Sequence, residues 1–276
     1  MFATARLSHL LQSSRRLSGF RSLSTQPFDL YGSVLSQPAR SIVLLCEENN
    51  ISYNLIPVDA RNLETRKPEF LKLFPVGLVP AINDNGFLLT EAAAILQYLS
   101  EKHQLNDWYP TGKSLSDIQR RAQINFWLHW HHSNMRLSTR SILIPYHYPP
   151  KGVTKEDAVA KGCKEYSRGV KFLESYLKKR FQNSDYKDKF LCSSNKPTIA
   201  DLLLIPEIDQ VSKEAFNLFD YSPYPNVLRW MENIRETVPS YAANFKNILP
   251  YKDPANWPDV GSLIKKLQQE KAQKQG

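Results

Sequence analysis

The 276-residue chain is poor in cysteine, in glycine and in long apolar runs, and each shortage excludes a class of protein. Its three cysteines, Cys46, Cys163 and Cys192, are an odd number and lack the close spacing of a metal or redox motif. We interpret each as a small buried hydrophobe in a reducing compartment. Its ten glycines form no phosphate-binding pattern, which argues against nucleotide chemistry. No apolar run approaches the roughly 18 residues of a bilayer crossing, so we predict no membrane span.

Acidic residues are missing from the start of the chain, where the first one is Asp29. The same stretch is rich in serine, has hydrophobic residues spread through it, and holds Arg6, Arg15, Arg16 and Arg21. This composition is typical of a mitochondrial transit peptide, because a secretory signal would have a continuous apolar core. We therefore predict that residues 1–26 are a transit peptide, cleaved near Phe20 to Gln26, and that the mature protein resides in the mitochondrial matrix. The alternative is a cytoplasmic protein with an unprocessed extension.

The net charge of +9 carries less information than its size suggests, because those four arginines supply four of the nine charges. The remaining charge is mild and scattered, whereas nucleic-acid-binding proteins concentrate basic residues on one face. We therefore predict no nucleic-acid partner.

Residues 27–106 show the order strand, helix, strand, helix, strand, strand, helix. The predicted elements are strands Phe28–Tyr31, Ile51–Val58, Val76–Ile82 and Phe87–Leu89, and helices from Pro38 to about Asn49, within Arg61–Phe74, and from Glu91 to about His103 after a Thr90 cap. Asn85-Gly86 between two apolar runs predicts a hairpin. A four-stranded mixed sheet covered by helices accommodates this order, which predicts a thioredoxin-like domain.

A serine, Ser36, lies between the first predicted strand and the first predicted helix, and Pro38 suits that helix's first turn. Unpaired N–H groups and the helix dipole make such a position hospitable to an anion, including a thiolate. The alternative for Ser36 is an ordinary helix cap. A second unusual residue is Pro80, which cannot donate to a strand ladder and makes a cis Val79–Pro80 bond a candidate.

Beyond a linker at residues 107–112 the apolar period is helical, which predicts an all-α domain over residues 113–250. Lys155–Phe181 is predicted as an amphipathic helix, and Thr198 with Asp201 resembles a capping box. The lysine-rich tail, residues 251–276, is expected to fray. His129, His131 and His132 lack the spacing and the additional ligands of a metal site, so no metal is predicted.

Five motifs taken together resemble those of glutathione S-transferases. They are Ser36-Gln37-Pro38-x-Arg40, Pro75-x-Gly77-x-Val79-Pro80-Ala81, Thr90-Glu91-x-x-Ala94-Ile95, Trp108-Tyr109-Pro110 and Thr198-x-Ala200-Asp201. The serine of the first motif, and Trp130-His131-His132-x-Asn134-x-Arg136 in the second domain, are similar to the theta class. The resemblance covers about residues 28 to 250.

The resemblance implies a first domain that binds glutathione as co-substrate, a helical domain that supplies most of the pocket for a small electrophile, and a homodimer. Ser36 matches the catalytic serine that donates a hydrogen bond to the glutathione sulfur. A thiol with a pKa near 8.5 is mostly protonated at neutral pH. A hydroxyl donor and a helix N-terminus would lower that pKa by about one unit or more.

The same resemblance implies the other parts of the site. The Val79 backbone, next to a cis Pro80, would pair with the cysteinyl peptide, and Glu91 and the Ala92 backbone would hold the γ-glutamyl end. Thr65 and Arg66 fall near the glycyl carboxylate, and Arg136 faces the electrophile. The residues implied for binding glutathione are Arg66, Leu78, Val79, Pro80, Glu91 and Ala92.

Two departures from the family's pattern open an alternative. Ala92 replaces a common serine, and Leu78 replaces a lysine or glutamine that reaches glutathione. Losing two donors would cost about 1–3 kcal/mol of binding. The alternative function is therefore a non-catalytic, dimerising interaction module of the same fold. Dehalogenation, peroxide reduction or isomerisation with the same thiolate remain open, and Tyr31 is a second candidate thiol partner.

Overall fold

The computed structural model describes residues 26–182, 188–193 and 195–253. Its first domain contains β1 (Phe28–Gly32), α1 (Gln37–Glu48), β2 (Tyr53–Pro57), α2 (Pro68–Leu73), β3 (Ala81–Asp84), β4 (Phe87–Thr90) and α3 (Ala92–Lys102). Its second domain contains α4 (Leu115–Trp130), α5 (Arg136–His147), α6 (Lys155–Gln182), α7 (Ile199–Val211), α8 (Pro225–Thr237) and α9 (Tyr241–Lys246). Short 3₁₀ turns occur at Ala60–Asn62, Glu64–Arg66 and Leu249–Lys252.

The four strands form one mixed sheet in the order β2-β1-β3-β4. Strand β1 runs parallel to β2 and antiparallel to β3, and β3 and β4 form an antiparallel hairpin. Leu30 pairs with Leu55 on one side and with Ile82 on the other, and Leu30 and Ile82 are fully buried. The predicted fold class, a thioredoxin-like domain followed by an all-α domain, is confirmed.

The Asn-Gly hairpin is also confirmed. Asp84 pairs with Phe87, which leaves Asn85 and Gly86 as a two-residue turn with φ values of +52° and +94°. Both φ values are positive, as a two-residue hairpin turn requires, and asparagine and glycine adopt positive φ most readily. Local chemistry is therefore sufficient to place this turn.

Two predictions in the first domain were wrong. The strand predicted from Val76 begins only at Ala81, because Gly77 takes a φ of +65° in a turn and Pro80 has no N–H for the ladder. Thr90 does not cap α3, since it is the last residue of β4 and Glu91 occupies the cap position. Glu91 makes no side-chain cap hydrogen bond.

Every residue of α7 is buried, which makes this helix the centre of the second domain. The predicted capping box is confirmed: the Asp201 carboxylate accepts hydrogen bonds from the Thr198 N–H at 2.8 Å and the Thr198 hydroxyl at 3.1 Å. It also accepts from the Trp230 indole N–H at 2.9 Å. Burial raises the pKa of Asp201, against the effect of these donors. Its role in this structure is to begin α7 and hold it to α8.

Helices α4 and α5 are continuous through a π-helical segment, His131–Met135, so the chain is helical from Leu115 to His147. A single wide turn rotates the residues that follow it, and such turns are frequent at functional sites. The predicted helix Lys155–Phe181 is confirmed as α6, and α9 was not predicted. The proposed transit peptide and the lysine-rich tail lie outside the described residues, except for residues 26 and 251–253.

Gly162 on α6 marks a close approach to α5. A Cβ atom placed there would lie 2.2 Å from the Ser141 carbonyl oxygen. We expect Gly162→Ala to lower the free energy of unfolding by about 1–3 kcal/mol, because backbone atoms of α5 would have to move. Urea denaturation followed by tryptophan fluorescence measures the change.

Gly169 on the same helix provides the matched control. Its added Cβ would meet the ends of the Met135 and Trp130 side chains, at 3.5 Å and 3.8 Å, and both distances are ordinary contacts. Gly169→Ala should therefore stabilise the protein by a few tenths of a kcal/mol to about 1 kcal/mol through helix propensity. Equal effects of the two substitutions would contradict the close approach.

Candidate active site

Ser36 is the N-cap residue of α1, at the point where the chain leaves β1 and turns into the helix. Its extended backbone lets its Oγ accept a hydrogen bond from the Ala39 N–H at 3.3 Å, while Pro38 occupies the first turn. The side chain is half-buried and, within the described residues, its hydroxyl proton has no acceptor. Ser36 is thus a cap whose donor is available to a ligand.

A cavity of about 400 Å³ lies in front of Ser36. One wall is a face of α5, and the opposite side is formed by the first domain. The α5 wall consists of Arg136, Arg140, Leu143, Ile144 and His147, whose spacing places them on one side of the helix. Burial and the charges of Lys155 and Arg61 lower the pKa of His147 to about 3, so this wall carries a neutral imidazole.

A smaller cavity of about 140 Å³ adjoins the first one. Pro80, Glu91 and Ala92 line it, and Leu78, Val79, Arg136 and Arg140 line both cavities. The structure thus brings together Ser36, Leu78, Val79, Pro80, Glu91, Ala92 and Arg136 along one continuous depression between the domains. Seven of the eight predicted site residues lie there.

The Val79–Pro80 peptide bond is cis, as predicted. Val79 precedes β3 and has no partner in the sheet, and no backbone hydrogen bond among the described residues involves its N–H or C=O. Its polar groups are therefore free to pair with an extended peptide in the depression, as an added strand would.

Glu91 has a left-handed backbone, with φ of +72° and ψ of 114°, and its side chain is exposed at the smaller cavity. A non-glycine residue in this region costs on the order of 1–3 kcal/mol, and such strain is concentrated at binding sites. Ala92, the next residue, is buried and begins α3, so its N–H is among the unpaired donors at that helix's start.

Arg136 is held by a buried acid. Its Nη1 lies 3.1 Å from Oε1 of Glu207, which is fully buried on α7, and 2.7 Å from Oε1 of Gln37. The same carboxylate oxygen lies 3.2 Å from His131 Nε2. Burial raises the pKa of Glu207, but Arg136 and His131 outweigh it, and the pKa falls below its usual value. Glu207 is therefore an ionised anchor that fixes Arg136 beside the residue after Ser36.

Gln37 extends this network into the larger cavity. Its side chain is buried, its oxygen accepts from Arg136, and its Nε2 has no partner among the described residues. An unsatisfied buried donor costs about 1–3 kcal/mol, so the contact between Gln37 and Arg136 is made at a cost to stability. The sequence motif contained Gln37, but nothing in its spacing indicated this contact.

Arg66 and Tyr31 lie outside the depression. Arg66 is exposed and packs near Gly77, whereas its neighbour Thr65 is buried and lines the larger cavity. Arg61, rather than Arg66, is the arginine at that end, and it pairs with Asp59 at 2.8 Å. Tyr31 packs edge-on against Phe70 and Phe74, and its pKa is raised by burial and by Asp29.

Arg140 was missed by sequence reasoning, although its position four residues after Arg136 was a usable signal. Glu207 was missed as well, because nothing in the sequence near this acid indicates that its partners, Arg136 and His131, come from a distant helix. Within the described ranges no cluster of three histidine, cysteine or acidic side chains could hold a metal ion. None of the helices described combines the length and apolar character that a bilayer crossing requires.

Comparisons with known proteins agree with this geometry. Residues 26–101 match the model of the glutathione S-transferase N-terminal domain, and residues 136–237 match that of the C-terminal domain. Glutathione S-transferase theta-2 of Rattus norvegicus is 31% identical over 210 residues, which cover 75% of this chain and 80% of the rat protein. The chain belongs to the glutathione S-transferase family. Glutathione is the co-substrate of this family.

Two further relatives agree with this family membership. Glutathione S-transferase T3 of Arabidopsis thaliana is 33% identical over 221 residues, which cover 77% of this chain but only 35% of that protein. The chain thus spans about a third of the length of this plant relative. The solved structure of the apo form of human glutathione S-transferase T1-1 superposes with a TM-score of 0.69 at 25% identity, covering 87% of this chain and 97% of that one.

Proposed function

We propose that this protein is a theta-like glutathione transferase in which the Ser36 hydroxyl stabilises the glutathione thiolate. The observation that carries the proposal is the available Ser36 donor at the N-terminus of α1, facing a cavity of about 400 Å³. A neutral donor and the positive end of a helix dipole both favour a thiolate over a thiol. Each unit by which they lower the pKa is worth about 1.4 kcal/mol.

In the proposed reaction, glutathione lies along the depression with its cysteinyl peptide on the Val79 backbone. Glu91 and the Ala92 N–H hold the γ-glutamyl end, and Thr65 lies toward the glycyl end, where Arg61 rather than Arg66 lines the cavity. The sulfur loses its proton to solvent and attacks an electrophilic carbon in the larger cavity. A carbon–sulfur bond forms, and the leaving group departs with the electron pair of the bond that breaks.

The test is an ultraviolet titration of the thiolate of bound glutathione. We expect a bound pKa about one unit below that of free glutathione, and a return toward the free value in Ser36→Ala. Ser33→Ala is the matched control, because Ser33 lines the same cavity and its Oγ accepts from a local N–H as that of Ser36 does, but only Ser36 is the N-cap of α1. A bound pKa that is unaffected by Ser36→Ala would contradict the proposal.

Failure to bind glutathione at all would favour the other candidate, a non-catalytic interaction module. Leu78 and Ala92 are the observations behind it, because the depression presents an apolar side chain and a methyl group where polar donors would strengthen binding. Retention on immobilised glutathione distinguishes the two functions.

We further propose that the protein is a homodimer in the mitochondrial matrix. The family's architecture supports the homodimer. The basic, acid-free composition of residues 1–26 supports the mitochondrial location. Light scattering tests the dimer. The mass of the protein from isolated mitochondria should lack roughly the first 20 to 26 residues, and an intact mass with cytosolic recovery would contradict import.

We predict that Glu91→Ala and Glu91→Gly weaken glutathione binding equally but differ in their free energy of unfolding. Both Glu91→Ala and Glu91→Gly remove the carboxylate, so we expect each to weaken glutathione binding about tenfold to a hundredfold, the usual value of a charged hydrogen bond. Glycine alone tolerates φ of +72° without strain. Glu91→Gly should therefore be more stable than Glu91→Ala by about 1 kcal/mol. Calorimetry and urea denaturation measure the two effects, and equal stabilities would show that the backbone is unstrained.

A further inference from the structure

Arg140 is an unneutralised cation in the larger cavity. It lies on α5 one turn after Arg136, is exposed, and lines both cavities. Among the described residues, no hydrogen bond or ion pair involves its guanidinium, although the side chains around it are extensively paired.

The other basic groups that line the larger cavity are either paired with an acid or neutral. Arg136 is neutralised by Glu207 at 3.1 Å, and Arg61 by Asp59 at 2.8 Å. His147 is neutral because its pKa is about 3. The carboxylate of Asp59 remains ionised, since Arg61 lowers its pKa against the effect of burial. The excess positive charge of the larger cavity thus resides on Arg140.

Apolar side chains line the larger cavity together with Arg140. Leu143 and Ile144 follow it on the same face of α5, and Leu35 lines the same cavity. A ligand in this space would place an apolar body against these side chains and an anionic group on the guanidinium, which binds carboxylates through two parallel N–H donors.

We propose that the electrophile is an amphipathic organic anion whose carboxylate binds Arg140. This inference rests on the proposed function and names its substrate class. The two carboxylates of glutathione are assigned to the ends of the depression, near Ala92 and near Thr65. Arg140 shares its helix face with the residues that line the Ser36 cavity, and this is the reason for assigning it to the electrophile.

The test measures binding of product analogues and therefore needs no turnover. Two conjugates of equal shape are compared by calorimetry: S-(4-carboxybenzyl)glutathione, which is anionic on the ring, and S-(4-carbamoylbenzyl)glutathione, which is neutral there. We expect the wild-type protein to bind the carboxylate about tenfold more tightly than the amide, and Arg140→Gln to reduce this ratio to about one. Arg168→Gln is the matched control, because Arg168 is exposed on α6 and lines neither cavity. It should keep the full ratio.

Each other outcome overturns the inference in a distinct way. Equal binding of the two conjugates by the wild-type protein would remove the anion preference while leaving the glutathione site intact. A preference that persists in Arg140→Gln would assign it to another residue. Equal weakening of both conjugates and of glutathione itself in Arg140→Gln would make Arg140 a glutathione contact. Failure of the wild-type protein to bind either conjugate would overturn the proposed function, and the inference with it.

Discussion

Replacing Asp209 by alanine is expected to lower the free energy of unfolding by about 3–5 kcal/mol. Asp209 on α7 pairs with Arg40 on α1 at 2.9 Å, and both side chains are almost completely buried. Arg40 also donates to the Pro206 carbonyl at 2.9 Å and to Gln210 at 3.1 Å. This arginine therefore joins the first domain to the central helix of the second. Without Asp209 its charge would remain buried and uncompensated.

Urea denaturation followed by tryptophan fluorescence measures this loss, with two controls. Lys196→Ala breaks an ion pair with Asp107 in which both side chains are 64% exposed, and it should cost less than about 1 kcal/mol. The double variant Arg40→Met with Asp209→Leu removes both charges and should be more stable than Asp209→Ala alone. If the double variant is as unstable as the single one, an uncompensated charge is not the cause.

Replacing Ser36 by alanine is expected to lower kcat/KM for a neutral electrophile by about tenfold at pH ~6.5. The reason is that, at a pH below both pKa values, a pKa lower by about one unit raises the fraction of thiolate about tenfold. The residue also caps α1 through the Ala39 N–H, so the variant should lose about 1 kcal/mol of stability. A stability loss of that size leaves the protein folded under assay conditions.

The pH dependence distinguishes thiol activation from a general loss of structure. As the pH rises above the pKa of the unassisted thiol, both proteins hold thiolate, and their rates should converge. The kcat/KM profile of Ser36→Ala should therefore inflect at a higher pH than that of the wild-type protein. Ser33→Ala should keep the wild-type inflection. A rate deficit in Ser36→Ala that is constant across the pH range would contradict thiol activation.

The elements that could be predicted were those with a local physical cause. The Asn85-Gly86 turn, the capping box of Thr198 and Asp201, and the period of α6 each depend on residues a few positions apart. The strand predicted from Val76 failed because its apolar composition concealed the positive φ of Gly77. The cap predicted at Thr90 failed because β4 extends through that residue.

The candidate site likewise contains residues that could be predicted from their sequence neighbours and residues that could not. Ser36 could be placed at the start of a helix because Pro38 and the apolar strand before it are adjacent in sequence. The partners of Arg136 could not be predicted, because Gln37 lies 99 residues away and Glu207 lies 71 residues away in the sequence. Arg66 and Arg61 could not be distinguished either, since which of them faces the cavity depends on how the 3₁₀ turns pack.

The amino-acid pattern alone was enough to predict the two-domain plan, the thioredoxin-like sheet and the position of Ser36 at a helix N-terminus, because periodicity, turn chemistry and capping act within a few residues. Three features became visible only in the folded molecule: Arg40 joins the domains across 169 residues, Gln37 has a buried donor without a partner among the described residues, and Arg140 lines the cavity in front of Ser36. These depend on where helices α1, α5 and α7 meet, and that is set by the packing of all their buried side chains together.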